Sequence, residues 1–197
     1  MSIEATPPAW AEALLRDVLQ PIDGDSVTGD LLEEYRESIH PVRGPWRADA
    51  WYVAQVFGFV WRDARLWGTL FGAAFAGRTA LDWLVPTTDF YIRASVSTYL
   101  GVTLLLTAAF LAARRSGSSA AGMIANVATA SIGAAISIGG ATALLAIWHD
   151  PQTFAAVRAS GGLGEVFMLP LLMVLPGLIL GIFGGLAGAA VRRLRST

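Results

Sequence analysis

The chain has 197 residues, of which 54% are hydrophobic and 15% charged, and its mean hydropathy is +0.54. Soluble domains carry about 25% charged residues, so this composition excludes an ordinary soluble domain and predicts a membrane protein. Residues 1–65 hold six Arg and eleven acids, a net charge of −5, whereas residues 66–197 hold eight Arg and four acids, a net charge of +4.

The choice of basic residue carries no weight for function, and the lack of Cys excludes two kinds of site. Every residue counted as Lys or Arg is Arg, which favours a GC-rich bacterial genome. The chain has no Cys, which excludes disulfides and thiolate metal sites.

The N-terminal segment predicts three helices on the cytoplasmic side. The first covers residues 8–19 and begins at a proline, as helices often do. The second covers residues 26–39, and we expect His40-Pro41 to end it. The third begins near Ala48 and is rich in aromatic residues, which is typical of the headgroup region. It either lies along the cytoplasmic surface or runs directly into the membrane.

The second of these helices carries a group of acids on its outer side. Its leucines recur at helical spacing and face inward, which turns the glutamates outward. We interpret the acids and nearby aromatic residues as a surface for docking a partner; the alternative is that the acids are only a solvated helix face. The candidate docking residues are Glu33, Glu34, Tyr35, Glu37, Trp51 and Tyr52.

The motif GDLLEEYR, followed by a Gly-bearing basic linker and AxxWYxxQ, resembles the permease prefix domain of acidobacterial-type ABC transporter permeases. The resemblance covers roughly residues 8–62 and implies a cytoplasmic docking or regulatory module beside a membrane anchor. Family members often have WYWRQ where this chain has WYVAQ, and the permease body with its extracytoplasmic domain is missing. The matching positions are Gly29, Asp30, Leu31, Glu33, Glu34, Tyr35, Arg36, Gly44, Ala48, Trp51, Tyr52 and Gln55.

Four apolar segments are long enough to cross a bilayer, which takes about 20 residues. The first begins only near Leu66, so we expect no cleaved signal peptide. The predicted fold is therefore an all-α integral membrane protein, with a prefix of residues 1–62 and a four-helix transmembrane domain of residues 63–197. The predicted spans are residues 66–86, 94–113, 120–148 and 166–191.

The spans contain few polar side chains. Arg78 and Asp82 lie in the first span, where each charge near a helix centre costs about 3 kcal/mol. Because they are four residues apart, they share a helix face and can neutralise each other, as an interfacial ion pair near Pro86. Asn126, near the start of the third span, can form a hydrogen bond across the bundle. These three residues are the candidates for an intramembrane polar pocket.

The arginines between the spans predict the orientation, because cytoplasmic loops carry an excess of basic residues. Three clusters fall on one side of the predicted membrane, and the two loops on the other side carry one Arg each. We therefore expect a multi-pass protein of the bacterial cytoplasmic membrane with both termini in the cytoplasm. The clusters are Arg62 and Arg65; Arg114 and Arg115; and Arg192, Arg193 and Arg195, and the single arginines are Arg93 and Arg158.

Glycines spaced four apart predict close helix packing, which drives association in lipid. Gly68 and Gly72 form one such pair in the first span, and Gly177, Gly181 and Gly185 form two in the fourth. They favour a tight four-helix bundle; the alternative is that one glycine face serves an oligomer or a partner subunit.

The sequence contains no spacing typical of a hydrolase, a zinc protease or a phosphate-binding loop. The two histidines, His40 and His149, fall on opposite sides of the predicted membrane. We therefore expect no enzyme activity, cofactor, metal or nucleic acid. The favoured function is an accessory or regulatory membrane protein with a membrane-protein partner, such as a transporter, or a homo-oligomer. The alternatives are a structural subunit of a larger complex and a small transporter or channel.

Overall fold

The computed structural model describes residues 5–19 and 21–195. Residues 1–4 and 20 of the predicted prefix and residues 196–197 of the predicted transmembrane domain lie outside it. The described chain is helical and contains no strand, which confirms the all-α prediction. In chain order the elements are α1 (Ala9–Val18), α2 (Pro21–Glu34), a π-helical turn (Tyr35–Ile39), α3 (His40–Arg43), α4 (Pro45–Leu84), α5 (Tyr91–Ser116), α6 (Ser119–Ile147), α7 (Pro151–Ala159), α8 (Gly162–Leu172) and α9 (Val174–Arg195).

The second predicted helix does not end at His40-Pro41. It continues from α2 through the π-helical turn into α3 and stops at Gly44, whose φ of 75° suits glycine. Pro41 lies in the first turn of α3, where its missing N–H does no harm. The wider π-helical turn immediately before it gives the chain room for the proline ring.

The third prefix helix and the first predicted span form one helix, α4. It is 40 residues long, or about 60 Å at 1.5 Å per residue. Of the two courses open to the third helix, it therefore continues directly into the segment that was predicted as the first span. The predicted boundary between residues 62 and 63 falls inside α4, so the prefix and the bundle share a helix.

Within the described residues three helices, not four, are long and apolar enough to cross a membrane. They are Tyr91–Ser116, Ser119–Ile147 and the joined stretch Gly162–Leu194. The predicted first span, within α4, is not among them. Its Arg78 and Asp82, together with its glycines and tryptophans, lower its hydropathy.

The fourth predicted span is interrupted. Helices α8 and α9 meet at Met173, between Pro170 and Pro176. A proline removes one hydrogen bond from a helix and its ring crowds the preceding turn, so two prolines six residues apart account for the break. Before it, the short helix α7 begins where Asp150 Oδ1 accepts hydrogen bonds from the Gln152 and Thr153 backbone at 2.9 and 3.0 Å.

Gly68 and Gly72 bring α4 against α6. A Cβ atom at either glycine would lie 2.6 Å from the Cβ of Ile132 or Ile136, respectively, which is closer than atoms can pack. The two contacts advance together along both helices, so α4 and α6 run parallel. The pair packs within this chain, as the predicted bundle requires.

Helix α9 carries two glycine stripes and fits between two helices. Gly181 and Gly185 face α6, where an added Cβ would lie 3.0 Å from Met123 Cα or 2.7 Å from the Ser119 carbonyl oxygen. Gly177 faces the same helix more loosely. The second stripe, Gly184 and Gly188, lies against α5. These glycine faces are occupied within the chain, so they are not free to bind a partner helix.

Candidate functional site

Tyr35 lies in the core of the prefix and is 1% exposed. Its hydroxyl donates to Asp49 Oδ1 at 2.6 Å, with the Thr6 carbonyl oxygen at 3.3 Å as a weaker acceptor. Tyr52 is also buried and packs edge-on against it, with ring centroids 5.8 Å apart. Burial, followed by the hydrogen bond and the charge of Asp49, raises the pKa of Tyr35 to about 12. The hydroxyl therefore keeps its proton at neutral pH.

This burial changes the predicted docking set. Tyr35 and Tyr52 hold the prefix together and present no surface to a partner. Trp51 is half-buried against the same core. The signal for this role was in the sequence, because Tyr35 lies four residues after Leu31 and four before Ile39, on the apolar side of the helix.

The other predicted docking residues are exposed acids. Glu33, Glu34 and Glu37 are joined by Asp30, and we call these four residues the acidic face. In the described structure no cation lies within ion-pairing distance of any of them. Like charges three and four residues apart on a helix destabilise it by about 0.2–0.5 kcal/mol a pair. The acidic face thus costs the prefix stability, and no ion pair with another described residue offsets that cost.

The prefix also contacts the bundle where α5 turns into α6. Ser118 Oγ donates to Asp17 Oδ1 of α1 at 3.2 Å. Just beyond the prefix, Asp63 of α4 lies 3.9 Å from Arg115 at the end of α5. The prefix is therefore fixed to the end of the bundle at which α5 ends and α6 begins.

The opposite end of the bundle holds the predicted pair Arg78 and Asp82. Arg78 Nε donates to Asp82 Oδ2 at 3.2 Å, and the two side chains are 13% and 3% exposed. The sequence predicted this pair from its spacing of four residues. Burial of a charge is tolerated when an opposite charge and hydrogen bonds satisfy it, as they do here.

Two residues that the sequence analysis did not assign to this pair complete the cluster. Arg93 Nη1, at the start of α5, lies 3.3 Å from Asp82 Oδ1. It also donates at 2.8 Å to the carbonyl oxygens of Leu81 and Val85, where α4 ends. Arg78 Nη2 lies 3.3 Å from Glu165 Oε1 of α8. The sequence offered one signal for their role, because Arg93 and Glu165 are among the few charged residues predicted on that side of the membrane. We call Arg78, Asp82, Arg93 and Glu165 the outer cluster.

The chemistry open to the outer cluster is limited. Its two arginines and two carboxylates sum to no net charge. The cavity beside it has a volume of about 20 Å³, enough for a single water molecule. Trp83 also lines this cavity. Its Nε1 is buried and has no hydrogen-bond partner in the described structure. The cluster is built to join α4, α5 and α8, and it leaves no room for a substrate.

Asn126 lies elsewhere in the bundle. Its Nδ2 donates to the Gly177 carbonyl oxygen at 2.6 Å, just after the break between α8 and α9. Within the described chain its Oδ1 has no partner, and neither has Thr129 Oγ1 one turn later. Ser137, which lines the cavity of the outer cluster, is about 16 Å further along α6 at 1.5 Å per residue. The structure therefore does not bring Asn126 into one pocket with Arg78 and Asp82.

No three His, Cys, Asp or Glu side chains in the described part of the chain are grouped so that they could hold a metal ion. The comparisons with known proteins add no relative: no family model, no curated protein and no solved structure matches this chain. The resemblance to the permease prefix domain therefore stays a prediction.

Proposed function

We propose that this chain is a non-enzymatic accessory or regulatory protein of the bacterial cytoplasmic membrane, which docks a membrane-protein partner through the acidic face of its prefix. The observation that carries the proposal is that four carboxylates on one helical surface are exposed and pair with no described cation, while the other side of the same helix packs against the prefix core. If the resemblance to the permease prefix holds, the partner is a transporter.

The proposal includes four membrane spans, with the second half of α4 as the first. Gly68 and Gly72 hold α4 beside Ile132 and Ile136, near the middle of α6. If α6 crosses the membrane, this part of α4 lies at the same depth. Its charges are compatible with that depth because Arg78 and Asp82 are paired and largely buried.

The direction of the helices supports cytoplasmic termini. Helices α4 and α6 run away from the prefix, and α5 and α9 return to it. The ends beside the prefix carry the arginine clusters of α4, α5 and α9, which suits the cytoplasmic side.

Two exposed apolar residues add to the docking surface. Val42 and Trp46 flank the turn at Gly44 and are 81% and 83% exposed. Tryptophan is among the residues that contribute most to protein interfaces, and a polar or charged rim commonly surrounds such an anchor. Both residues follow Glu37 within ten positions. We place the partner against this surface of the prefix.

The alternatives receive less support. A structural subunit held by its glycine faces needs free faces, whereas these glycines pack against α5 and α6. A transporter or channel needs a pathway, whereas the cavity at the outer cluster has a volume of about 20 Å³.

The test is recovery of the partner in a mild-detergent pull-down of the tagged chain from its native membrane, read by mass spectrometry. The variant replaces Glu33, Glu34 and Glu37 with Lys. The matched control replaces Arg16 with Gln, because Arg16 is an exposed cation of the same prefix and lies on another helix, α1. We expect a stoichiometric membrane protein with the wild-type chain and the control, and its loss with the variant.

Membrane insertion of each variant is checked separately by alkaline extraction. Equal recovery of the same partner by the Lys variant and the wild type would rule out docking through the acidic face. Loss of the partner from both the variant and the control would show that the loss is not specific to the acids, and it would overturn docking through the acidic face.

A further inference from the structure

An apolar groove with a volume of about 640 Å³ opens between α4 and α6. Phe57 and Trp61 of α4 form one wall, and a face of α6 from Met123 to Ala135 forms the floor. Ser131 supplies the only hydroxyl group among the lining residues. Such a lining suits a hydrocarbon chain and offers a polar ligand almost no hydrogen bonds.

The groove follows from the order of large and small residues along α4. Gly68 lets α4 approach α6 closely at Ile132. Two and three turns earlier, the same side of α4 carries Trp61 and Phe57, whose large side chains stand at the surface. The helices are in close contact at the glycines and leave a groove on the side of the prefix.

The depth of the groove corresponds to one leaflet of a bilayer. From Met123 to Ala135, α6 rises by about 18 Å at 1.5 Å per residue. One leaflet contributes about 15 Å, half of the hydrocarbon core. Leu14 of the prefix also lines the groove, so the groove lies toward the prefix side of the bundle. In the proposed orientation this is the cytoplasmic leaflet.

Positive charge lies beside this end of the groove. Arg62 and Arg65 follow Trp61 on α4 and are both exposed, and the Arg62 guanidinium lies 5.6 Å from the centre of the Phe59 ring. Side chains on a helix tilt toward its N-terminus, which here points to the cytoplasm. Among the described residues no carboxylate pairs with either arginine. They are therefore available to a phosphate at the level of the headgroups.

We propose that the groove binds an acyl chain of an anionic phospholipid from the cytoplasmic leaflet, with the headgroup phosphate against Arg62 and Arg65. A lipid held there contacts the prefix at Leu14 and the bundle at Ala128. Lipid binding therefore stabilises the attachment of the prefix to the bundle. This inference rests on the membrane embedding proposed above and is independent of the acidic face.

The test is native mass spectrometry of the delipidated full chain, titrated with phosphatidylglycerol or with phosphatidylcholine of the same acyl chains. We expect one tightly bound phosphatidylglycerol per chain. Ala128→Trp and Ala135→Trp, which fill the groove at two levels, should each abolish it. Ala143→Trp is the matched control, since Ala143 is exposed on the same helix and does not line the groove.

A second pair of variants tests the headgroup. Replacing Arg62 and Arg65 with Gln should weaken phosphatidylglycerol binding by about 30-fold, because each cation near an anionic lipid contributes roughly a fivefold factor. Binding of phosphatidylcholine should change little. Arg47→Gln removes an exposed charge of α4 far from the groove and should leave both affinities unchanged.

Two results would overturn the lipid site. One is the same bound phosphatidylglycerol on wild type and on both groove-filling variants. The other is a dimeric wild type that Ala128→Trp converts to a monomer, since a second copy would then fill the groove. Alkaline extraction tests the membrane embedding on its own. If it releases the chain from the membrane, both the embedding and the lipid site are wrong. If the chain stays in the membrane but binds no lipid, only the lipid site is wrong.

Discussion

The acidic face and the outer cluster each contain four charged side chains, and the fold treats them in opposite ways. In the outer cluster two arginines and two carboxylates pair at 3.2–3.3 Å, and Asp82 is almost completely buried. In the acidic face four carboxylates are exposed and have no cation beside them in the described structure. Charges that serve the fold are paired within the chain, so charges without such a partner are the better candidates for contacts outside it.

The largest effect is expected from breaking the buried pair. Asp82→Asn keeps the shape of the side chain and removes its charge, which leaves Arg78 and Arg93 facing an uncharged amide. Removal of one partner from a buried pair costs about 3–5 kcal/mol. We expect a loss of this size in the free energy of unfolding, measured by denaturant titration in detergent micelles.

The control for this prediction is Asp89→Asn. Asp89 lies in an exposed turn, five residues after the end of α4, so the variant removes the same charge from the surface. We expect a change below about 1 kcal/mol there. Replacing Arg78 with Met and Asp82 with Leu together should restore part of the lost stability, because the two most buried charges are then gone. Only Arg93 and Glu165 lose a partner, and their side chains are 26% and 41% exposed. Equal losses for the two Asn variants would show that the outer cluster is not a buried ion pair.

A second variant tests the close contact between α4 and α6 without changing any charge. Gly72→Ala places a Cβ 2.6 Å from Ile136 Cβ and 2.9 Å from the Gly133 carbonyl oxygen. Overpacking of this kind costs about 1–3 kcal/mol. Gly77→Ala is the matched control because nothing lies within 4 Å of its added Cβ, and alanine favours the helix. Thermal unfolding in the same micelles should rank Gly72→Ala below wild type and Gly77→Ala level with it or above it.

The sequence predicted those features that depend on local spacing. Arg78 and Asp82 lie four residues apart, so their pairing follows from the helix alone. The glycine pairs likewise predicted close packing, but their partners on α5 and α6 depend on how the helices assemble.

Other features depend on tertiary structure or on competing local signals. Arg93 joins Asp82 only because α4 and α5 meet at a tight turn, and Glu165 comes from α8, far along the chain. Counting apolar residues predicted a long fourth span, and the described stretch Gly162–Leu194 is apolar enough for one, but Pro170 and Pro176 divide it into two helices. His40-Pro41 was read as a helix end, although a π-helical turn accommodates the proline.

A smaller effect is expected in the prefix core, where a polar group is buried with a charged partner. Tyr35→Phe removes the hydrogen bond to Asp49 and should cost about 1.5 kcal/mol. Because folding raises the pKa of Tyr35 from 10 to about 12, its contribution is complete below pH 10 and is lost as the pH rises through 12.

The control for this prediction is how the stability difference between wild type and Tyr35→Phe changes with pH. Burial also raises the pKa of Tyr52, so wild type and variant share any loss of stability caused by that residue. Between pH 10 and 12 the difference in unfolding free energy between wild type and Tyr35→Phe should shrink. A difference that stays constant over this range would show that Tyr35 does not ionise on unfolding.

The smallest effect should have the opposite sign. Glu33, Glu34 and Glu37 replaced together by Gln remove like-charge repulsion, which should raise the stability of the prefix by about 0.5–1 kcal/mol. The gain should fade in 1 M salt, where the screening length is about 3 Å. Glu165→Gln makes the same chemical change where Arg78 lies 3.3 Å away, so it should lower stability slightly. If the triple Gln variant instead destabilised the prefix, the acids would have partners within the fold, and the argument that they serve an outside contact would fail.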